Sequence, residues 1–481
     1  MDKKPDIMIF MSDQHSPLFH RDAGGLVDTP NFNSLAEHGT RFTEAYTSCP
    51  LCVPARMSML AARYGSNIDV LTNDDTLQDT TPTFLHSLAA EGYETVLIGR
   101  MHFTGKDQRH GFTRRLFGDV TPVTWNKPEQ KLREERGVYF LTFRDTNCTD
   151  VSGGGESPVL WYDEGVVENA LAYLQEKHDK PQCIVVGTYG PHFPYVAPPE
   201  LYKKYRDTVT LPRFFNRDIP YMTDWIRTRQ KAITEETALH CLAAYCGMVE
   251  ETDRHIGTLF RAFENFTAQR NAEKMFVYIS DHGDQAGERN IYGKQTFFEK
   301  SAKIPFIVHG DRIPQNLEIK TPVSILDLGP TVCDFTGARP LPRQDGISLM
   351  PYLDNPGAGK ERAVVSEVVP ADPEGIVFGR MVRYGRFKFI TYFKSEAQDI
   401  LFDLAADPGE TKNIILDNPK IAEHCRKILA GMKSPAEVVS VQTARKMEIK
   451  LLADWEKAAG GDDSERWSGN PPTARSEPRV I

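Results

Sequence analysis

Short apolar runs that alternate with helical segments constrain the fold of this chain more than any other feature. Strands buried on both faces of a sheet read as continuous apolar runs, and strands that alternate with helices form parallel sheets. The pattern predicts an α/β fold with a large, mostly parallel sheet flanked by helices. The runs are DIMIF, ETVLIG, CIVVGT, KMFVYIS and IPFIVHG, and the helical patterns lie near residues 31–38, 82–91, 163–177, 235–264 and 323–336.

A second, smaller module is predicted beyond a Gly- and Pro-rich stretch at residues 353–362. A chain of 481 residues exceeds the roughly 250–300 residues at which single cores stop growing. The segments AVVSEVV, RMVRYGRFKFITYF and DILFDL read as antiparallel strands, and a helix is expected near 417–432. We therefore predict a main α/β domain over 1–358, an α+β subdomain with an antiparallel sheet over 359–456, and a tail over 457–481. The tail is rich in Gly, Pro and charge, which is typical of a mobile or partner-docked segment and is compatible with a homo-oligomer.

Charge and hydropathy narrow the classes of partner. The net charge of −9 is spread along the chain without a basic block, which argues against a nucleic-acid surface or a polybasic membrane anchor. The apolar run Ile7–Met11 is too short for a signal peptide, and no run approaches the roughly 18 apolar residues of a membrane span. We expect a cytoplasmic protein that acts on a small or carbohydrate-like substrate. Its eight scattered cysteines are expected to be free thiols.

Polar side chains follow four of the predicted strands, where open α/β sheets bind ligands. These segments are Ser12–His15, Arg100–His102, Pro191–His192 and Asp281–Asp284. Within them, Asp13, Gln14, Asp281 and His282 offer mainly oxygen donors, which calcium and magnesium prefer. Each segment could instead be an ordinary strand-end turn, such as an Asp-Gly turn in SDHGD. One site that collects all four segments is the more economical hypothesis.

The stretch CPLCVPARMSMLAAR predicts a helix with Cys52 just before it. Pro54 suits a first helical turn, where backbone N–H groups and the helix dipole favour anions. Arg56 could direct its forked guanidinium toward an anion held there. A cysteine and an arginine at a helix start beside a hard cation imply an oxyanion ester as substrate.

These residues resemble the signature of the type I sulfatases, a family of the alkaline phosphatase superfamily. The resemblance rests on C-x-P-x-R at Cys52, on SDQ near the amino terminus, and on GYETVLIGRMHF, YGPHFPY and SDHGDQAGERNIYGK. It covers most of the chain and is greatest for the choline-sulfatase-like branch. It implies an alkaline-phosphatase-like fold and oxidation of Cys52 to formylglycine (3-oxoalanine) by a formylglycine-generating maturation enzyme. It also implies a bound Ca²⁺, with Mg²⁺ or Mn²⁺ as alternatives.

The resemblance also assigns roles to residues. The metal ligands it implies are Asp13, Gln14, Asp281, His282 and the modified Cys52; the catalytic residues are Cys52, Arg56, His102, His192 and Lys294; the sulfate contacts are Arg100 and Asn73. A hydroxyl of the hydrated formylglycine aldehyde, a geminal diol, would attack sulfur. His192 is the first choice for the general acid and Lys294 the second, while His102 would accept the proton of the other hydroxyl. Ala55 and Arg100 stand where the family usually has serine and lysine.

The predicted function is hydrolysis of a sulfate monoester to an alcohol and inorganic sulfate. The alcohol would be a carbohydrate or a small alkyl or choline-type molecule. One alternative is a hydrolase of phosphonate or phosphate mono- or diesters that uses the same formylglycine site. Another is a catalytically silent homologue whose Cys52 is never modified.

Overall fold

The computed structural model describes residues 3–119, 147–217, 222–357, 359, 361–370, 377–393, 398–459 and 479–480. Its strands are β1 Asp6–Ser12, β2 Thr40–Phe42, β3 Ala45–Tyr46, β4 Glu94–Gly99, β5 Arg114–Phe117, β6 Ser152–Glu156, β7 Gln182–Gly187, β8 Tyr195–Ala197, β9 Lys274–Ser280, β10 Phe306–Gly310, β11 Leu317–Ile319, β12 Val323–Ser324, β13 Ala363–Val368, β14 Phe378–Tyr384, β15 Phe387–Phe393, β16 Ile400–Asp403 and β17 Arg479–Val480.

The helices within the described residues are α1 Pro30–Glu37, α2 Cys52–Ala61, α3 Gly65–Ile68, α4 Phe84–Ala90, α5 Pro158–Leu174, α6 Pro199–Arg206, α7 Asp224–Arg227, α8 Glu235–Arg270, α9 Glu299–Ala302, α10 Leu328–Thr336, α11 Met350–Asp354, α12 Pro419–Ala430 and α13 Pro435–Ala459. Single 3₁₀ turns occur at Pro17–Phe19, Arg21–Ala23, Glu288–Asn290 and Ile325–Asp327. The five predicted helical patterns correspond to α1, α4, α5, α8 and α10.

The central sheet confirms the predicted α/β architecture. In the described ranges it has eight strands in the order β11-β2-β10-β9-β1-β7-β4-β5. Strand β1 pairs in parallel with both β7 and β9, and β4 pairs in parallel with β7 and β5. Strand β10 runs antiparallel to β9 and to β2, so the sheet is mostly rather than wholly parallel. The carboxyl ends of β1, β4, β7 and β9 consequently lie side by side.

The apolar runs are continuous because both faces of the sheet are covered. In β1, Met8 and Phe10 belong to the core that the sheet forms with α5 and α8. Ile7, Ile9 and Met11 belong to the opposite core, formed with α2, α4 and α10. Burial on both faces stabilises the sheet by roughly 1.5–3 kcal/mol for each large apolar side chain. It also gives the polar residues that follow the strands a rigid base.

A separate antiparallel sheet, in the order β13-β14-β15-β16, confirms the second module. Helix α12 follows it as predicted, whereas α13 is an additional helix whose Val438 and Val439 pack against Leu71 and Phe378. The backbone N–H of Glu367 in β13 donates to the carbonyl of Ser48 at 2.8 Å. The second sheet therefore abuts the segment that leads into α2.

Most of the predicted tail, residues 460–478 and 481, lies outside the described residues. Near its end, β17 pairs antiparallel with Glu156 and Gly155 of β6. The domain limits at 358 and 456 remain predictions. The thiol prediction is confirmed: all eight cysteines are described, and each is buried and free of disulfides. Among the described helices, none combines the length and the apolar character needed to cross a membrane.

Candidate active site

The ends of four parallel strands and the start of α2 meet at one edge of the central sheet. Single ligand atoms of four side chains there lie within 4.8 Å of one another, and all four side chains are buried. These residues are Asp13, Cys52, Asp281 and His282. The structure thus brings together side chains that are up to 269 positions apart in the sequence, as the strand-end argument predicted.

Cys52 is the first residue of α2, not the residue before it, because Leu51 occupies the cap position with an extended backbone. Its Sγ lies 3.2 Å from Nε2 of His282 and 3.7 Å from Oδ1 of Asp13. The side-chain oxygen of Asn73 accepts a hydrogen bond from the backbone N–H of Val53 at 3.0 Å. Asn73 therefore binds an N–H group of the first helical turn that has no partner within the helix, in addition to any contact it makes with a substrate.

Two buried arginines hold the carboxylates of the site. Arg56 donates from Nε to Oδ2 of Asp281 at 2.8 Å and from Nη2 to Oδ2 of Asp13 at 3.0 Å. Arg100 donates from Nε to the same Asp13 oxygen at 2.6 Å. Burial alone would raise the pKa of Asp13, but the charges of Arg100 and Arg56 hold that pKa well below its usual value. Asp13 is consequently ionised and fixed in position.

The donor set fits a hard divalent cation. The two arginines take Oδ2 of Asp13 and of Asp281, while the Oδ1 atoms lie 3.9 and 3.7 Å from Nε2 of His282. Nδ1 of His282 is 3.0 Å from the carbonyl of Gly283, so Nδ1 donates there and Nε2 faces the cluster. Burial lowers the pKa of His282, but the nearby Asp281 and Cys52 outweigh it and raise this pKa. The two carboxylates are oxygen ligands of the kind that calcium prefers, and His282 adds one nitrogen donor. The amide oxygen of Gln14, which accepts from Nζ of Lys294 at 2.7 Å, is a further oxygen of the same kind.

Gln14 and His102 both have left-handed backbone conformations, with φ of 68° and 61°. Such conformations are uncommon for residues other than glycine and cluster at functional sites. The backbone N–H of Gln14 donates to Oδ1 of Asp281 at 3.0 Å, and that of His102 donates to Oδ2 of Asp119 at 2.8 Å. Carboxylates therefore hold both strained segments in place.

Lys294 and His192 form a hydrogen-bonded pair beside Gln14. The Nζ of Lys294 lies 2.6 Å from Nε2 of His192 and 2.7 Å from Oε1 of Gln14. His192 directs Nδ1 to the carbonyl of Phe193 at 2.7 Å, so Nδ1 donates and Nε2 accepts from the lysine. Burial and the charge of Lys294 lower the pKa of His192 well below its usual value. Lys294 therefore carries the mobile proton of this pair.

His102 is held by Arg100, whose Nη2 lies 2.8 Å from Nδ1 of the imidazole. A guanidinium only donates, so Nδ1 is the acceptor and Nε2 carries the proton of the neutral ring. Burial and the charge of Arg100 lower the pKa of His102 well below its usual value. The proton-acceptor role predicted for His102 therefore requires Arg100 to release Nδ1.

Three site residues were not assigned from the sequence. Asp119 accepts from Nη1 of Arg100 at 3.4 Å, and the guanidinium of Arg100 lies 4.2 Å from the ring centroid of Tyr189. Asp284 accepts from the side-chain amide of Gln14 at 2.5 Å. The available signals were the position of Asp284 within SDHGD and the position of Asp119 just after β5.

The comparisons with known proteins agree with this geometry. Residues 6–338 match the family model described as Sulfatase, and residues 287–437 match the model of the C-terminal region of N-sulphoglucosamine sulphohydrolase. The chain belongs to the sulfatase family. As a sulfatase it is a sulfuric ester hydrolase, which confirms the family resemblance and the predicted enzyme class.

One curated relative and two solved structures show which proteins this sulfatase is similar to. It is 32% identical over 444 residues to a choline-sulfatase of Rhizobium meliloti (strain 1021), covering 87% of this chain and 83% of that protein. Its fold resembles that of a 2-O GAG sulfatase, with a TM-score of 0.66, 22% identity, and coverage of 98% of this sulfatase and 97% of that chain. It also resembles the phosphonate monoester hydrolase of Agrobacterium radiobacter, with a TM-score of 0.69, 21% identity, and coverage of 89% and 95%.

Proposed function

We propose that this sulfatase hydrolyses the sulfate monoester of a carbohydrate or of a small alkyl or choline-type alcohol, using a formylglycine made from Cys52. The observation that carries the proposal is the position of Cys52, at the first turn of α2 with its Sγ 3.2 Å from His282 and 3.7 Å from Asp13. A formylglycine at this position would lie against the metal ligands. The maturation enzyme that oxidises Cys52 is part of the proposal.

Asp13, Gln14, Asp281 and His282 would hold the divalent cation, with residue 52 completing the set. Calcium suits these donors, and Mg²⁺ or Mn²⁺ are alternatives. The cation would supply positive charge that favours an ionised hydroxyl and an anionic ester. The hydrated aldehyde of formylglycine would supply the nucleophilic hydroxyl and, through its second hydroxyl, a route for releasing sulfate.

The surrounding side chains suit an anionic ester. The dipole of α2, whose positive end lies at Cys52, and the ammonium of Lys294 favour negative charge on the sulfate oxygens. Arg100 was predicted to touch the sulfate, yet its hydrogen bonds include Asp13, Asp119 and His102. We therefore assign Arg100 chiefly to holding Asp13, and Lys294 and Asn73 to contacting the ester.

The leaving alcohol needs a proton, and we assign its supply to the Lys294–His192 pair. The lysine holds that proton in the resting arrangement, and His192 receives its hydrogen bond at 2.6 Å. The proton can pass to the leaving oxygen from Lys294 directly or through Nε2 of His192. In either case His192 and Lys294, the first and second choices for the general acid from the sequence, act together as one acid.

A phosphonate or phosphate ester hydrolase is the second candidate, because the chain shares its fold with a phosphonate monoester hydrolase. Matched aryl sulfate and aryl phosphonate substrates separate the two candidates through their ratio of kcat/KM. A ratio in favour of the sulfate supports the sulfatase, and the reverse ratio supports the second candidate. Activity on neither ester, in a protein that carries formylglycine, would favour an alkyl or carbohydrate sulfate.

The first test is the mass of the tryptic peptide 42–56 from protein co-produced with a formylglycine-generating enzyme. This peptide contains Cys49 as well as Cys52, and Cys49 serves as an internal control in the fragment spectrum. The proposal expects an aldehyde at position 52 and an intact thiol at position 49. An intact thiol at both positions would favour the catalytically silent homologue. A Cys52→Ala variant supplies the matched inactive control.

A further inference from the structure

The side-chain amide of Gln14 has two possible orientations, and the structure shows one of them held on both sides. Its Oε1 accepts from Nζ of Lys294 at 2.7 Å, while its Nε2 donates to Oδ2 of Asp284 at 2.5 Å. An amide oxygen can bind a cation, whereas an amide NH₂ cannot. The orientation of Gln14 therefore decides whether this residue can serve as a metal ligand.

Asp284 is fully buried and receives hydrogen bonds at both carboxylate oxygens. Its Oδ1 accepts from the backbone N–H groups of Ala286 at 2.7 Å and Gly293 at 2.8 Å. Its Oδ2 accepts from Gln14 and from the hydroxyl of Tyr195 at 2.9 Å. The two backbone donors fix the rotation of the carboxylate, so Oδ2 has no freedom to turn away from Gln14.

We propose that Asp284 is a positioning residue that sets the orientation of the Gln14 amide, so that its oxygen faces the cation and Lys294. This inference rests on the metal site of the proposed function. It adds to that site a residue which is not itself placed among the ligands. Outer partners of this kind change metal affinity by about 10- to 100-fold when they are replaced.

The isosteric substitution Asp284→Asn tests the idea sharply. The two backbone N–H groups require an acceptor, so the new amide keeps its oxygen toward Ala286 and Gly293 and turns its NH₂ toward Gln14. Tyr195 can adapt, because a hydroxyl both donates and accepts. Gln14 cannot accept through its own NH₂, so its amide must turn over. Its NH₂ then faces Lys294 and the cation position.

A second substitution should reverse the effect. In the double variant Gln14→Glu with Asp284→Asn, the new carboxylate accepts from the asparagine NH₂ with one oxygen and offers the other to the cation. Gln14→Glu alone puts two carboxylates in contact at this position, and such pairs are unfavourable when buried. Each single change should therefore impair the site, and the pair together should restore it. A residue that acts only on folding would not show this reciprocity.

The measurement is calcium binding to the full-length, metal-free protein by titration calorimetry, with the unfolding temperature recorded for each variant. We expect Asp284→Asn to weaken calcium binding by about 10- to 100-fold, and the double variant to recover most of that loss. Tyr195→Phe is the matched control, because it removes the other donor to Oδ2 and leaves Gln14 in place. It should bind calcium within a few-fold of the unmodified protein.

The outcomes separate this inference from the proposed function. Absence of calcium binding by the unmodified protein would overturn the metal site, and with it the role of Asp284. Normal binding that Asp284→Asn leaves unchanged would overturn the role of Asp284 alone. A weakened single variant that Gln14→Glu fails to restore would also overturn it, because the loss would then come from general disturbance of the buried site.

Discussion

Replacing Arg56 should destabilise the metal-free protein in proportion to the hydrogen bonds that the new side chain cannot make. Arg56 is fully buried and bridges Asp281 at 2.8 Å and Asp13 at 3.0 Å. Asp13 has a second cationic partner in Arg100, at 2.6 Å. For Asp281, in contrast, Arg56 is the cation that forms the ion pair with Oδ2 among the described residues.

The magnitudes follow from this difference. In Arg56→Lys, one ammonium can reach Asp281 but cannot bridge both carboxylates, so about one charge-assisted hydrogen bond is lost, at roughly 1.5–3 kcal/mol. In Arg56→Met, a buried carboxylate loses its cation, at roughly 3–5 kcal/mol. Urea denaturation of the chelator-treated variants should therefore rank them unmodified, Lys, then Met.

Added calcium provides the control. A cation bound by Asp13 and Asp281 would replace the missing positive charge, so calcium should raise the free energy of unfolding of Arg56→Met by more than it raises that of the unmodified protein. The reasoning would be refuted if the lysine and methionine variants unfolded within about 0.5 kcal/mol of each other and of the unmodified protein.

Three further predictions concern buried charges. Lys294→Ala removes the cation that helps lower the pKa of His192, so NMR titration should show this pKa rising, and kcat should fall by about 10²- to 10⁴-fold; an unchanged pKa would contradict the pairing. Lys388→Met removes the ammonium that lies 2.6 Å from Glu299, whose pKa is lowered from 4.5 to about 2. The variant should lose roughly 3–5 kcal/mol of unfolding free energy near neutral pH, and less as the pH falls from 4.5 toward 2 and Glu299 takes up a proton. An equal loss at pH 4.5 and at pH 2, measured by urea denaturation, would count against this prediction. Burial raises the pKa of Asp163 from 3.8 to about 7, so between these pH values the folded protein keeps a proton that the unfolded chain releases. The free energy of unfolding should therefore fall as the pH rises from 4 to 7, and it should fall less steeply in Asp163→Asn than in the unmodified protein. Parallel pH profiles of unfolding free energy in the two proteins would refute this prediction.

The main sheet was predictable because its strands are buried on both faces, which leaves an unbroken apolar run such as DIMIF in the sequence. The direction of β10 was not, since an apolar run carries no information about whether its neighbour is parallel. Strand β5, with the sequence RRLF, was missed because it lies at the edge of the sheet and two of its four residues are charged. Helix α13 was missed as well, and its exposed Leu451 and Trp455 weaken the usual pattern of an apolar face.

The site was predictable to the level of which segments meet, because adjacent parallel strands end at the same edge. Its hydrogen-bond pattern was not predictable. The tautomer of His102 depends on Arg100, and the amide orientation of Gln14 depends on Asp284, 270 positions away. Such pairings follow from side-chain geometry after the sheet has formed, and no local sequence pattern specifies them.

Because all eight cysteines are buried, thiol labelling can measure two properties of this protein: how often the fold opens and how many thiols the chain carries. In the native state a thiol reagent must wait for the fold to open, so the rate of labelling follows local and global opening rather than chemical reactivity. In denaturant the same reagent counts thiols: eight per chain while Cys52 is intact, and one fewer once it has been oxidised. A single colorimetric titration can thus report the proportion of mature chains in a preparation before any substrate has been found.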